Sequence, residues 1–368
     1  SASFGPQIWN GDKTIFHYHI WNVKFNSMIL FREYLYYFFL FDKTQVKAST
    51  TGSTMVHVSM ENMKPRLIPI PPVNEQKRIV HEIENIIPLI ERYGTFQNKK
   101  ETLDSNIKAF LKKSILQEAI QGKLVPQIAE EGTAQELLEQ IKTEKQKLVK
   151  EGKLKRSALT TSVIFRGDDN KYYEQIGKSV KEITEEIAFD LPNGWYWCRL
   201  KDICSIFTGA TFKKEEATIT RKGIRILRGG NISPFELKIK DDDIFLTKDK
   251  VKEDILLKEN DILTPAVTSL ENIGKMARVD SDMSDTTVGG FVFIIRLHLI
   301  NRWFSKYILY LLSSPFMIDF MKSITNKSGQ AFYNIGKERL SMALLPIPPL
   351  TEQYRIVTQI EKLFEQLR

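Results

Sequence analysis

The chain is predicted to be α+β, with two related units that each close on a proline-rich run followed by a long helix. Three observations predict this. Residues 67–87, LIPIPPVNEQKRIVHEIENII, return as residues 344–364, LLPIPPLTEQYRIVTQIEKLF, so the chain carries an internal duplication. Isoleucines then recur at spacings of four and three, the period of an apolar helical stripe. Short β-branched and aromatic runs bounded by Gly, Asn, Asp and Ser fill the second half.

Taken in order, residues 1–66 mix strand-like and helical signals, and the aromatic stretch 31–41 reads as core. Pro69, Pro71 and Pro72 hold the backbone extended, so a helix is expected directly after them. Asn74 and Thr351 are the expected N-caps, with Glu75 and Glu352 in the first turn facing the positive end of the helix dipole. The first helix is expected over 73–121, a span of roughly 70 Å. Ile79, Ile83, Ile86 and Ile90 make a coiled-coil seam that resumes in a new register at Leu103, Ile107, Phe110 and Ile115. Pro88 and Gly94 between them predict a kink. The second copy keeps the seam with Ile356, Ile360 and Leu363, so the two helices are candidate partners for each other.

Residues 134–150 read as a solvated connecting helix, and 157–187 as a polar, partly disordered stretch. A second globular unit opens at Leu191 with LPNGWYWCRL. Strands are expected over 223–232, 261–267, 274–279 and 290–297, and helices over 303–312 and 315–324. Gly52 matches Gly329 and Glu61 matches Glu338 in the register of the repeat, so the duplication extends upstream of the prolines.

Length and composition agree with two globular parts and helical connectors: 368 residues, 42% apolar and 27% charged. A net charge of +8 and a pI near 9.1 favour a polyanionic partner. No apolar run approaches the roughly 20 residues of a membrane span, since 31–41 is short and contains Arg32 and Glu33. Residues 1–10 lack the basic and apolar regions of a signal peptide. Cys198 and Cys204, six apart with no nearby His, suit a reducing cytoplasm and read as packing residues.

The order of LPNGWYWCRLKDI, ILRGGNI, NDILTP, NIGKMARV, the SGQ segment and LLPIPPLTEQYRIV resembles the specificity subunits of type I restriction-modification systems. The resemblance implies two target-recognition domains, each reading half of a split DNA site, alternating with conserved helices that pair as an antiparallel coiled coil. It implies the end of a first recognition domain at 1–72, a central helix at 73–121, a helical and polar connector at 122–190, a second recognition domain at 191–350 and the start of a distal helix at 351–368. The first domain is short: residues 16–40 match 291–312, and the half upstream of that match is expected to be missing, as in a fragment or a half-cassette. Double-stranded DNA, modification subunits and motor subunits are the implied partners. S-adenosylmethionine, ATP and magnesium are expected on those partners, with none on this chain.

DNA recognition needs Lys and Arg for phosphates and a few polar side chains for base edges. The second domain offers Thr211, Phe212, Lys213 and Lys214 after Gly209, then Arg221, Lys222, Arg225 and Arg228, then Thr268, Ser269 and Asn272, and finally Lys327, Gln330, Tyr333 and Asn334. Each also has a plain reading as a solvated basic loop or a turn former. No GxxxxGK[ST] loop and no Asn-Pro-Pro-aromatic motif occurs, since both Pro-Pro pairs follow Ile70 and Ile347. His17 and His19 read as a strand facing two ways, and the acidic run 241–243 as a turn cap rather than the metal site of a nuclease. A DNA-binding decoy or half-specificity subunit, a metal-dependent nuclease and a purely structural scaffold are the alternatives. Salt-dependent DNA affinity separates the first from the last.

Overall fold

The computed structural model describes residues 5–17, 19–48, 60–328 and 331–367. The chain divides into two compact units, Ser1–Ser105 and Asn106–Arg368. The Gly52 and Gly329 match lies outside the described residues.

In the first unit, helix α1 (Arg32–Ala48) and a short α2 (Met60–Met63) precede the 48-residue α3 (Val73–Ile120), whose last turns belong to the second unit. Its described residues contain no strand, so the strand expected near residue 16 is replaced by coil and turn. Helix α1 is fastened to the proline run: Tyr34 Oη donates to Pro69 O at 2.9 Å. The buried Gln76 side chain donates to Pro71 O at 2.7 Å and Ile29 O at 2.8 Å, and its Oε1 accepts from Phe31 N at 2.8 Å. Helix α3 begins at Val73, as expected, but Asn74 is not its cap. Glu75 N and Gln76 N both donate to Pro72 O, which leaves Asn74 inside the helix rather than capping it.

Helix α3 runs on through Pro88 and Gly94 without losing its helical assignment. A proline removes one bond of the ladder but need not unwind the turns on either side. Along the predicted seam Ile79 and Ile83 are half-buried, whereas Ile86, Ile90, Leu103, Ile107 and Phe110 are exposed.

The second unit opens with the end of α3, where Leu116, Ala119 and Ile120 are buried. Gly122 stops the helix with φ 69°, and a Cβ there would stand 2.3 Å from Pro192 Cγ. Helix α4 (Ala134–Lys150) follows, then the antiparallel strands β1 (Ser162–Arg166), β2 (Tyr172–Ile176) and β3 (Ser179–Glu182). The solvated connector expected here is corrected by burial: α4 lays Ala134, Leu137, Ile141 and Lys145 into the core. Residues 157–187 are ordered as well. Their polarity reflects a sheet with one buried side, where Ile164 and Glu174 face inward and their neighbours face water. Arg199 seals that side by donating to Glu174 at 3.1 and 2.8 Å and to Glu186 at 2.8 Å. Burial alone raises the Glu174 pKa, yet the Arg199 bonds hold it below the usual carboxylate value.

Strand β4 (Tyr196–Arg199), α5 (Leu200–Ile203) and β5 (Cys204–Thr208) lead into β6 (Ile224–Leu227), β7 (Ile232–Ser233), β8 (Glu236–Leu237) and β9 (Ile244–Leu246). Strands β10 (Ile262–Pro265), β11 (Val267–Thr268), β12 (Ala277–Arg278), β13 (Thr286–Val288) and β14 (Val292–Leu297) come next. Helices α6 (Arg302–Leu312) and α7 (Pro315–Ser323) follow, then β15 (Thr325–Ser328), β16 (Phe332–Ile335), α8 (Lys337–Ser341), β17 (Leu344–Ile347) and α9 (Leu350–Gln366). The main sheet has the order β12-β10-β14-β5, beside the three-stranded β13-β6-β9 and β11-β16-β15. One apolar cluster joins α6, α7, α9 and the end of α3 to the main sheet, and a second fills the space around β6, β9 and β13. Cys198 and Cys204 are buried free thiols of the first cluster, and burial pushes both pKa values up.

The joint seen in the first unit returns at α9. Tyr307 Oη donates to Pro346 O at 2.8 Å and Gln353 Nε2 to Pro348 O at 2.9 Å. Pro349, not Thr351, precedes the first turn, and its carbonyl accepts from Gln353 N. Glu61 and Glu338, matched in sequence, both sit in the first turn of a short helix, α2 and α8. Ile356 and Ile360 are fully buried in one cluster that also holds Leu116, Ala119 and Ile120 of α3 and the domain core; Leu363 is half-buried. The Lys112 ammonium lies 5.4 Å from the Phe364 ring.

Arg199→Met should cost about 3–5 kcal/mol in urea unfolding, because it strands the Glu174 carboxylate in the interior. His298 is buried, with Nε2 3.0 Å from Ser205 Oγ, and burial lowers its pKa to about 4. The unfolded chain takes up that proton near pH 6.5 and the folded chain only near 4. This contribution to stability is therefore complete above about pH 6.5 and lost on descending toward 4. Unfolding midpoints for His298→Gln should fall less steeply than wild type across that window.

Candidate nucleic-acid interface

Three segments of the second unit are tied together by backbone bonds at one end of its sheets. Gly209 N donates to Val292 O and Ala210 N to Val288 O; Ala266 N donates to Phe291 O, and Ile335 N to Ala266 O. Gly209 is required by this approach, since a Cβ there would stand 2.2 Å from Val288 O. Gly289 N reaches Leu227 O at 2.8 Å, which brings the end of β6 and its Arg228 to the same place. Thr211, Arg228 and the strand pair β11–β16 thus lie on connected backbone.

Strand register separates the candidates that sequence had grouped. Thr268 pairs with Tyr333, and Tyr333 with Lys327, so these three share one face; Thr268 is buried there. Asn334, opposite Val267 and Asn326, lies on the other face and is exposed. Ser269 and Asn272 hold each other, Asn272 Nδ2 donating to Ser269 Oγ at 2.9 Å across a short turn. Their role is the turn former's. Gln330 lies outside the described residues. Lys213, Lys214 and Lys222 are exposed, while Phe212 is half-buried against the second apolar cluster.

The arginines are matched one for one by the acidic run. Arg221 pairs with Asp241 at 2.7 Å, Arg228 with Asp242 at 3.3 Å and Arg225 with Asp243 at 3.1 Å. Asp243 is fully buried, also accepting from Asn231 Nδ2 at 2.6 Å and Lys240 N at 2.9 Å. Burial raises its pKa, and these bonds outweigh burial, so the net shift is downward. Arg225 further covers the Phe245 ring at 4.9 Å, so it belongs to the fold rather than to a DNA surface. Arg221 and Arg228 remain mostly exposed, and such pairs are weak enough to exchange a carboxylate for a phosphate. The acidic run is explained by these partners and by the turn Asp243 caps. Among the described residues no group of three or more His, Cys, Asp or Glu is placed to hold a metal ion.

His17 and His19 do not lie on a strand. Ile20 N donates to His17 O in a turn that leaves the two rings 4.9 Å apart. Three exposed residues at the candidate surface escaped sequence reasoning: Asn326, Phe332 and Phe291, the last 72% exposed. Strand alternation is the signal that finds the first two.

Arg225→Ala should lower stability by about 3 kcal/mol or more, since it leaves buried Asp243 without its cation. Arg221→Ala and Arg228→Ala should unfold within about 0.5 kcal/mol of wild type and lose affinity for duplex DNA. Parallel urea melts and DNA titrations check both halves.

A family model for the type I restriction modification DNA specificity domain matches residues 1–123 and 192–368. The chain is 30% identical over 297 residues to the EcoAI specificity subunit of Escherichia coli, covering 80% of this chain and 45% of the relative. It is 26% identical over 288 residues to the EcoEI specificity subunit of the same species, covering 77% and 45%. The chain therefore spans less than half the length of these curated relatives. A solved structure described as the structural basis of complex assembly and conformational transition of the type I R-M system shares the fold, at TM-score 0.53 and 19% identity over 94% of this chain and 66% of that one. With a duplicated proline-to-helix joint and family matches on both copies, this chain belongs to the type I restriction modification DNA specificity family.

Proposed function

We propose that this chain supplies the DNA address of a type I restriction-modification assembly and performs no catalysis itself. The observation that carries the reading is the family match on both sides of the duplication, joined to a second unit with exposed cations and strand-borne amides at one end. In this reading the second recognition domain, residues 191–350, reads one half of a bipartite site. Helix α3 separates it from the other half-site reader, as dimer geometry fixes half-site spacing elsewhere. Modification subunits dock beside each recognition domain and carry S-adenosylmethionine, and motor subunits use ATP with magnesium. A polybasic surface explains attraction to DNA, and base-edge contacts explain choice among sequences.

No described helix is long and apolar enough to cross a membrane. A cytoplasmic location suits the two buried free thiols and the DNA substrate.

Two measurements test the proposal. Duplex DNA should bind with log affinity falling linearly against log salt, by a slope of about −0.9 per phosphate neutralised; binding that ignores salt would sink it. Light scattering of the chain co-purified with its modification subunit should give two modification subunits per chain. One would make the chain a half-specificity subunit or decoy, and none would reject the assembly role.

A further inference from the structure

Strands β15 and β16 form an antiparallel ribbon, joined by the short β11 only beside Tyr333 and Asn334, and its two faces differ. Asn326 pairs in register with Asn334, and Phe332 lies two residues before Asn334, so these three share one face. All three are exposed, Phe332 by 55%. Tyr333 and Ile335 alternate with them and turn toward the domain, where Ile335 is fully buried. Asn side chains on strands commonly bend back to bond nearby backbone, yet neither Asn326 nor Asn334 makes such a bond among the described residues. The ribbon is bordered by two exposed cations, Lys322 at the end of α7 and Lys337 at the start of α8, while Lys327 is exposed on the face opposite the two asparagines.

A β-ribbon fits the major groove. Strand β15 is the open edge of this sheet and β11 adds only two residues on the other side. The chemistry on the exposed face suits an A·T pair there. An Asn amide matches the N6 donor and N7 acceptor of adenine, and an apolar ring packs on the thymine methyl group. Side chains directly opposite across a ribbon stand about 5 Å apart, close enough for the two amides to serve neighbouring base pairs. Flanking lysines meet phosphates on either side of the groove.

We propose that the β15–β16 ribbon enters the major groove, with Asn326 and Asn334 hydrogen-bonding adenine edges and Phe332 against a thymine methyl. The half-site read by this unit then contains A·T pairs at the contacted positions. The inference rests on the reading of the second unit as a DNA-recognition domain.

The full chain is used to select duplexes from a random-core library, and the enriched motif is compared with that of Asn326→Ala, Asn334→Ala and Phe332→Ala. Wild type should enrich a motif containing A·T pairs. Each Asn variant should lose the preference at one such position and bind the enriched duplex about 5- to 150-fold more weakly, with affinity for the unselected library retained. Replacing thymine by deoxyuridine in the enriched duplex should weaken wild type and leave Phe332→Ala unchanged. If an alanine variant fails to fold, the isosteric Asn334→Asp, which lacks the amide donor, carries the same test and should shift preference away from adenine. Variants that enrich the wild-type motif unchanged would overturn the ribbon's role and leave the recognition domain standing. A wild-type chain that enriches no motif would overturn the recognition reading, and this inference with it.

Discussion

A buried glutamine amide ties each proline run to the helix that follows, and both units are arranged around that joint. Prolines donate no backbone bond and present carbonyls that need partners, while a helix start presents unpaired amides. Gln76 and Gln353 serve both needs: their side-chain amides donate to Pro71 O and Pro348 O, and their backbone N–H groups donate to Pro72 O and Pro349 O. A tyrosine from an earlier helix, α1 or α6, donates to the carbonyl two residues before that of Pro71 or Pro348, Tyr34 to Pro69 and Tyr307 to Pro346. The two joints are not equal in the remainder. Oε1 of Gln76 has Phe31 N as donor, whereas buried Oε1 of Gln353 has none among the described residues. The second joint is secured instead by apolar burial of Ile356, Val357 and Ile360 and by Glu352, which accepts from Trp195 Nε1 and Gln127 Nε2.

Positive charge in the second unit divides into two kinds. Arg199, Arg225 and Arg296 are spent inside, each donating to a buried carboxylate: Glu174, Asp243 and Asp261. Removing any of these cations exposes the interior to an unpaired charge, so they hold strands in place rather than meet a ligand. Arg221, Arg228 and the lysines of the loops carry the charge that a polyanion could feel. Net charge alone does not separate the two kinds, because a guanidinium counts equally whether it is buried or solvated.

The elements with strong local signals were legible in the sequence. The expected helices at 303–312 and 315–324 lie within two residues of α6 and α7, and the strand at 290–297 contains β14. What was not legible depended on tertiary burial. The face of α4 looked too narrow to pack, yet buried Lys145 shows that even a charged position can be drawn into the core when its neighbours are apolar. Ile356 and Ile360 have the spacing of a seam, but spacing does not say whether the partner is another long helix or the domain itself. The N-caps failed because each helix starts directly after its last proline, at Val73 and Leu350, which places Asn74 and Thr351 inside the first turn. Among candidate contacts, burial demoted Arg225 and Thr268, and register divided Tyr333 from Asn334.

Between Glu91 and Leu111 helix α3 has almost no buried side chain, and Pro88 removes one of its backbone bonds just before that stretch. Isolated helical turns in water are marginal, because most helical stability in proteins comes from packing one face. This stretch must then open and close more freely than either end, on its own free-energy scale and without disturbing the folded units. Nothing among the described residues buries the exposed Phe96, Leu103, Ile107 and Phe110, so over this stretch the helix rests on its backbone bonds and its persistence is set by local propensity rather than by a core.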